Sequence, residues 1–118
     1  DSLILRERGK WNSAINRLYY SAFYAVSALL LDSDLTPTTH TGAKNKFSEC
    51  YIKSGIVNKK YGKMYSQLFT WRQKGNYADF FDFDNEKVEP YIEPVKELII
   101  LIEKILNIPP GANRVDGR

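Results

Sequence analysis

The sequence predicts an all-α fold, a bundle of four to five up-and-down helices, from three observations. Apolar residues recur at three- and four-residue spacing over 15–30 and again over 88–106, which is typical of amphipathic helices. No segment alternates apolar and polar residues with the period of two expected of a half-buried strand. The chain has 118 residues, of which 43% are hydrophobic, and this suits a single domain with one core.

We predict three helices in the N-terminal half. "DSLILRERG" forms the end of a helix that stops at Gly9. Asn12 or Ser13 caps a second helix running to about Leu31, and "DSDLTPTTHTG" follows as a loop. Thr39 then caps a short helix through "GAKNKFSECYI".

The C-terminal half begins with a turn at "KSGIVN" and a helix over 59–74 that ends at Gly75. "NYADFFDFDN" is an aromatic and acidic connection to the last helix, 88–106. Pro90 and Pro94 should kink that helix or delay its start, because proline lacks the backbone N–H that the helix needs.

The domain limits are expected at 1–107 for one helical domain and 108–118 for a flexible C-terminal tail. Because the chain begins at Asp1 rather than at methionine, we expect the first helix to be truncated. No apolar run approaches the roughly 20 residues that span a bilayer, so no membrane association is expected. The single cysteine, Cys50, excludes an internal disulfide and favours a cytoplasmic location.

Charge is distributed unevenly along the chain. Residues 44–63 carry six lysines against Glu49, a local net charge of +5, whereas residues 79–104 carry eight acids against three lysines, a local net charge of −5. This asymmetry has two explanations: complementary or solvated helix faces within the molecule, or an anionic partner such as RNA or a nucleotide.

The helix over 13–31 has two largely uncharged faces. One is an apolar stripe that includes Ile15, Tyr19 and Val26, and the opposite face carries Arg17, Tyr20 and Tyr24 among small residues. Either this is a central helix whose tyrosine hydroxyls reach water, or the second face forms a groove or a dimer interface. We predict dimerisation through it, because a domain of this size has little else to cover a second non-polar face.

Arg72 continues the apolar stripe of the helix over 59–74, which runs through Tyr61, Met64, Tyr65, Leu68 and Phe69. A desolvated guanidinium needs an anionic partner. That partner is either a carboxylate of the following segment (Asp79, Asp82 or Asp84) or the phosphate of a ligand, which suits the guanidinium fork.

These residues carry a resemblance to a known family. "AINRLYYSAFYAVSALLL", then "THTG", then "SGIVNKKYGKMYSQLFTWRQKGNYADF" resemble, in this order and over about residues 10–105, the HEPN domain, named for nucleotide binding in higher eukaryotes and prokaryotes. The resemblance implies a helical bundle that dimerises, with a cleft at the dimer interface. It also implies either a metal-independent ribonuclease or a module paired with a small nucleotidyltransferase in a toxin–antitoxin system.

The family ribonuclease motif is an arginine followed after four to six residues by a histidine. Here Arg72 matches the arginine, but Tyr77 stands where the histidine is expected. Tyrosine, with a reference pKa of about 10, is a poor general base at neutral pH. His40, in "TTHTG" at a predicted helix start, has either a structural role or a role beside a bound phosphate.

The function predicted from the sequence is therefore a non-catalytic, dimeric HEPN module. It would bind a nucleotide, RNA or a partner nucleotidyltransferase through ligand-binding residues in a cleft: Arg72, Asn76, Tyr77, Arg17 and Tyr20. The alternative is a metal-independent endoribonuclease toxin that uses Arg72 with Tyr77 or His40. No cofactor is expected, and no metal site, because the chain has one histidine and no paired cysteines.

Overall fold

The structure is a computed structural model that describes residues 2–75 and 85–107, with side chains described over 10–73 and 86–107. These ranges contain helices and connecting turns and no strand, which confirms the all-α prediction. The elements, in chain order, are α1 (Ser2–Asp32), α2 (His40–Phe47) continued by a π-helical turn (Ser48–Ile52), α3 (Lys59–Gly75), α4 (Asn85–Val88), a 3₁₀ turn (Glu89–Tyr91) and α5 (Ile92–Ile105).

Helix α1 lies at the centre of the bundle and packs against α2, α3 and α5. Its predicted apolar stripe is buried, apart from Leu18, which is half-buried. The stripe faces buried residues of every neighbouring helix, such as Phe47, Leu68 and Leu98. The buried side chains that α1 itself contributes are Ile15, Tyr19, Ala22, Ala25, Val26, Leu29 and Leu30.

The predicted helix stop at Gly9 is wrong, because α1 runs without interruption from Ser2 to Asp32. A glycine stop requires the left-handed backbone conformation, and the described glycine with a positive φ is Gly55, not Gly9. Glycine also adopts the right-handed helical conformation, at a cost of about 1 kcal/mol relative to alanine. The 31 residues of α1 tolerate that cost.

The N-cap predicted at Asn12 or Ser13 is wrong for the same reason, since both residues lie inside α1. The last helix, predicted over 88–106, is divided into α4, a 3₁₀ turn and α5. The predicted start of α2, the turn after it and the effect of proline are confirmed. Thr39 caps α2 by accepting a hydrogen bond from the Gly42 N–H at 2.8 Å. The turn after the π-helical segment contains Gly55 at φ +84°, and Val57 closes it by donating its N–H to the Tyr51 carbonyl at 2.9 Å. Pro90 falls in the 3₁₀ turn that separates α4 from α5, so proline does interrupt the last helix.

None of the helices in the described ranges combines the length and the hydrophobicity needed to cross a bilayer. The predicted tail, 108–118, and the connection over 76–84 lie outside the described residues.

Candidate functional site

Arg72 lies at the C-terminal end of the buried stripe of α3, in contact with α1. Before it, Met64, Tyr65, Leu68 and Phe69 are buried as predicted, and Arg72 itself is half-buried. Its Nη2 donates a hydrogen bond to the Tyr20 hydroxyl at 2.6 Å. The buried stripe of α3 therefore ends in a positively charged side chain that lies at the interface between α1 and α3.

The guanidinium of Arg72 rests against two aromatic rings of α1. Its Cζ lies 5.9 Å from the ring centroid of Tyr19 and 5.3 Å from that of Tyr20, within the range of cation–π attraction. Its Nε is buried and has no hydrogen-bond partner among the described residues. No carboxylate of the described residues forms an ion pair with Arg72.

His40 reaches the same tyrosines from the start of α2. Because Thr39 is the N-cap, His40 is the first helical residue, and its Nδ1 lies 2.8 Å from the Tyr19 hydroxyl in a hydrogen bond. Its ring stacks on Phe23 with centroids 4.3 Å apart and lies 5.9 Å, edge to face, from Tyr20. Arg72 and His40 thus both contact Tyr19 and Tyr20.

Burial controls the ionisation of the phenols at the centre of this cluster. Desolvation raises the pKa of Tyr19, although the positive charge of Arg72 opposes the shift. Desolvation also raises the pKa of Tyr65 far above its usual range. The Tyr65 hydroxyl makes no hydrogen bond of normal geometry within the described structure, yet it lies near enough to that of Tyr19 for each to influence the other's pKa. Tyr19 therefore stays neutral at physiological pH and does not neutralise Arg72.

A groove of about 320 Å³ opens beside His40. Its walls are the outer face of α1, at Phe23, Ser27 and Leu31, and the loop that leads into α2, including Leu35 and Pro37. The cluster of Arg72, Tyr19, Tyr20 and His40, which we call the Arg72 cleft, is therefore continuous with the face of α1 that the bundle does not cover.

That face of α1 remains exposed, as the sequence indicated. Tyr24 is 63% exposed and Leu31, seven residues later, is 64% exposed. Ser21, one helical turn before Tyr24, is exposed as well. Tyr24 contacts Tyr20, with ring centroids 5.9 Å apart. The exposed face thus begins directly next to the Arg72 cleft.

The family model of the HEPN domain matches residues 1–105. The chain belongs to the HEPN domain family. A protein named "UPF0332 protein" from Thermotoga maritima is 37% identical over 106 residues, which is 90% of this chain and 80% of the relative. Two proteins of Methanocaldococcus jannaschii, named "Putative toxin MJ0142" and "Putative toxin MJ0605", are 29% and 31% identical, and this HEPN chain spans 54% and 56% of their length. No solved structure matches the chain.

This HEPN domain brings together three of the residues predicted from its sequence, namely Arg72, Tyr20 and His40. Arg17 lies on the exposed face of α1 and makes no hydrogen bond or ion pair with a described residue. Asn76 and Tyr77 lie outside the described residues, as do the three aspartates (Asp79, Asp82 and Asp84) considered as partners of Arg72.

Sequence reasoning misses the roles of Tyr19, which belongs to the Arg72 cleft, and of Phe23, which packs beside it. Tyr19 was placed in the apolar stripe, and Phe23 was not singled out, although it stacks on His40. The available signal was the phenol of Tyr19, since a buried tyrosine hydroxyl usually has a hydrogen-bond partner. That rule indicates that a partner exists and does not say which residue it is.

The lysines of the basic segment 44–63 are not neutralised by ion pairs within the described residues, although Tyr61 of that segment donates a hydrogen bond to Glu97 of α5 at 3.2 Å. None of the six lysines in 44–63 forms an ion pair with a carboxylate of the described residues. The ion pair seen in α5 joins Lys96 to Glu93, 3.6 Å apart on the same helix. Within the described ranges no group of histidine, cysteine and carboxylate side chains is arranged to hold a metal ion.

Proposed function

We propose that this HEPN domain is a dimeric, non-catalytic module that binds a phosphate group of a nucleotide or of RNA in the Arg72 cleft. Its biological setting would be a toxin–antitoxin system, with a small nucleotidyltransferase as its partner protein. The relatives that carry the name "Putative toxin" support this setting.

The observation that carries the proposal is the state of the Arg72 guanidinium. It is half-buried, its Nη2 is bound to a hydroxyl, and its buried Nε has no acceptor among the described residues. A partly desolvated cation is stabilised when an anion accepts its remaining N–H groups. Phosphate oxygens fit the planar guanidinium fork, so a ligand phosphate satisfies Arg72 better than the two tyrosines do.

The surroundings of Arg72 suit a nucleotide rather than an inorganic anion. Tyr20, which is half-buried, presents its ring beside the guanidinium, and Tyr24 is exposed next to Tyr20. Aromatic rings stack on bases, which is the common way that proteins hold unpaired nucleotides. Arg17 lies one helical turn before Tyr20, and we propose that it contacts the same ligand, as do Asn76 and Tyr77.

A ribonuclease is the second candidate, and one observation favours it. His40 and Arg72 contact the same two tyrosines, so an imidazole and a guanidinium do meet at one site. We give it second place because the family motif has Tyr77 in place of its histidine. In addition, Nδ1 of His40 is already bonded to Tyr19, which leaves only Nε2 for proton transfer.

Titration of the Arg72→Ala variant tests the proposed function. Binding of a fluorescent single-stranded RNA and of AMP should be lost, while circular dichroism shows the helical content of the wild type. Lys46→Ala removes one exposed charge from α2 and serves as the matched control, for which unchanged binding is expected.

The opposite result assigns Arg72 a structural role. If an aspartate of 76–84 is its true partner, Arg72→Ala removes one member of a buried ion pair and lowers the free energy of unfolding by about 3–5 kcal/mol. A loss of that size with unchanged affinity for RNA and AMP would refute the proposal.

A further inference from the structure

A second groove, lined by polar and cationic side chains, runs along the contact between the π-helical turn and α3. Its volume is about 490 Å³. None of the residues that line it is acidic, and those with polar side chains are Ser48, Lys59, Lys63, Ser66, Gln67 and Thr70. Each α3 residue in this set lies three or four positions from another member, so the set forms one continuous face of the helix.

Two contacts fix the direction of the groove. At one end Gly62 packs against Ile52 so closely that a Cβ on the glycine would lie 3.1 Å from Cγ1 of Ile52. Further along α3, Lys44 of α2 places its Nζ 5.2 Å from the ring centroid of Phe69. Because later residues of α3 meet earlier residues of α2, the two elements are antiparallel.

The antiparallel arrangement leads the groove to the Arg72 cleft. Lys44 lies one helical turn before Ser48, which lines the groove, and one turn after His40, which belongs to the cleft. Phe69, under the Lys44 ammonium, contacts Tyr19 with ring centroids 6.2 Å apart. Lys44 therefore connects the groove to the cleft.

Within the described ranges, the cations of this surface are available to bind an anion. Lys59 and Lys63 are exposed, Lys44 is half-buried, and none of the three pairs with a carboxylate of the described residues. Between them, the serine and threonine hydroxyls and the Gln67 amide are groups that commonly contact phosphates and sugars.

We propose that this groove holds a single strand of RNA that continues from the nucleotide in the Arg72 cleft, with Lys44, Lys59 and Lys63 each on a backbone phosphate. This inference rests on the proposed function and makes it specific, because the ligand becomes a polynucleotide rather than a free nucleotide. The path along α3 from Lys59 to Arg72 covers about 20 Å of helix, which exceeds the reach of one nucleotide. A cationic groove that ends at aromatic rings is typical of proteins that bind single strands.

The test compares two double variants with the same change in charge. Lys59→Gln/Lys63→Gln alters the groove, and Lys46→Gln/Lys53→Gln alters exposed lysines that do not line it. The probes are an oligouridine of about 12 nucleotides, within the site sizes of single-strand-binding domains, the same sequence as a duplex, and AMP. Affinities are measured by fluorescence anisotropy at several salt concentrations.

Release of counterions sets the expected size of the effect. Each phosphate contact contributes about 0.7 to the slope of log affinity against log salt for a single strand, which at 0.1 M salt is about fivefold in affinity. The groove variant should bind oligouridine roughly 25-fold more weakly, with a slope lower by about 1.4. Its affinity for AMP should be unchanged, and the control variant should retain the wild-type affinity and slope.

The outcomes separate this inference from the proposed function. If wild type binds oligouridine and Arg72→Ala abolishes that binding, but the groove variant matches its control, the proposed function stands and the groove proposal is wrong. A wild type that binds neither RNA nor AMP overturns both. Stronger binding of polyglutamate than of oligouridine, lost in the groove variant, would instead assign the groove to an acidic protein.

Discussion

The exposed face of α1 gives the sharpest prediction, that the domain dimerises through Tyr24 and Leu31. Arg17, Tyr24 and Leu31 are spaced seven residues apart, and the small residues Ser21 and Ala28 lie between them. This is the spacing at which two helices pack along a narrow seam. We expect Tyr24→Ser/Leu31→Ser to convert a dimer at micromolar concentration into a monomer.

The exposed fractions determine the magnitude. Complete burial of a leucine or an aromatic side chain contributes about 2–3 kcal/mol. Since Tyr24 is 63% exposed and Leu31 is 64% exposed, burying the remainder contributes about 1.5 kcal/mol each. A two-fold interface contains both side chains twice, so the double variant should lose up to about 6 kcal/mol, or roughly 10,000-fold in the dimer dissociation constant.

Sedimentation velocity across a range of protein concentrations measures this change. Ile56→Ser is the matched control, because Ile56 is an apolar side chain that is 57% exposed and belongs to the turn before α3 rather than to the exposed face of α1. A wild type that sediments as a compact monomer at micromolar concentration would refute the reasoning. So would a double variant that dimerises as tightly as Ile56→Ser.

Two further predictions concern catalysis and alkaline stability. Purified protein incubated with mixed RNA and without metal should leave the RNA intact on a denaturing gel, and robust cleavage that disappears in Arg72→Ala would establish the ribonuclease instead. Burial raises the pKa of Tyr65, so above about pH 10 the unfolded chain loses a proton that the folded chain keeps, and stability falls by up to about 1.4 kcal/mol per pH unit for this group. Tyr65→Phe should therefore show a shallower decline than wild type in urea denaturation series above pH 10, with little change in stability at neutral pH because the hydroxyl makes no normal hydrogen bond. Identical declines in the two proteins would contradict this assignment.

The sequence predicted most helix positions well. Apolar residues at helical spacing form the face of a helix that folding buries, so the sequence pattern directly indicates the helix. Thr39 and Pro90 acted as their local chemistry requires, since a cap and a missing N–H operate within a few residues. The prediction at Gly9 is wrong because glycine can either end a helix or continue it. Which conformation Gly9 adopts depends on the packing of the whole of α1.

The candidate site was predictable only in part. The inward position of Arg72 followed from its place on the α3 stripe, but its hydrogen-bond partner, Tyr20, lies 52 residues earlier. The bond between His40 and Tyr19 joins residues 21 apart. Such pairs are set by how the helices are arranged against one another, and no periodicity within a single helix records that arrangement.

Tyr20 occupies a position that belongs to two surfaces at once. Its hydroxyl accepts the hydrogen bond from Arg72, and its ring contacts Tyr24 on the exposed face of α1. A partner helix that repositions Tyr24 therefore also acts on the residue that holds the guanidinium, and a phosphate that displaces the Tyr20 hydroxyl acts on the exposed face. By thermodynamic linkage, the factor by which self-association changes ligand affinity equals the factor by which ligand changes self-association. If the proposed dimer forms and the proposed ligand binds, Tyr20 takes part in both equilibria, and we expect ligand affinity to depend on protein concentration.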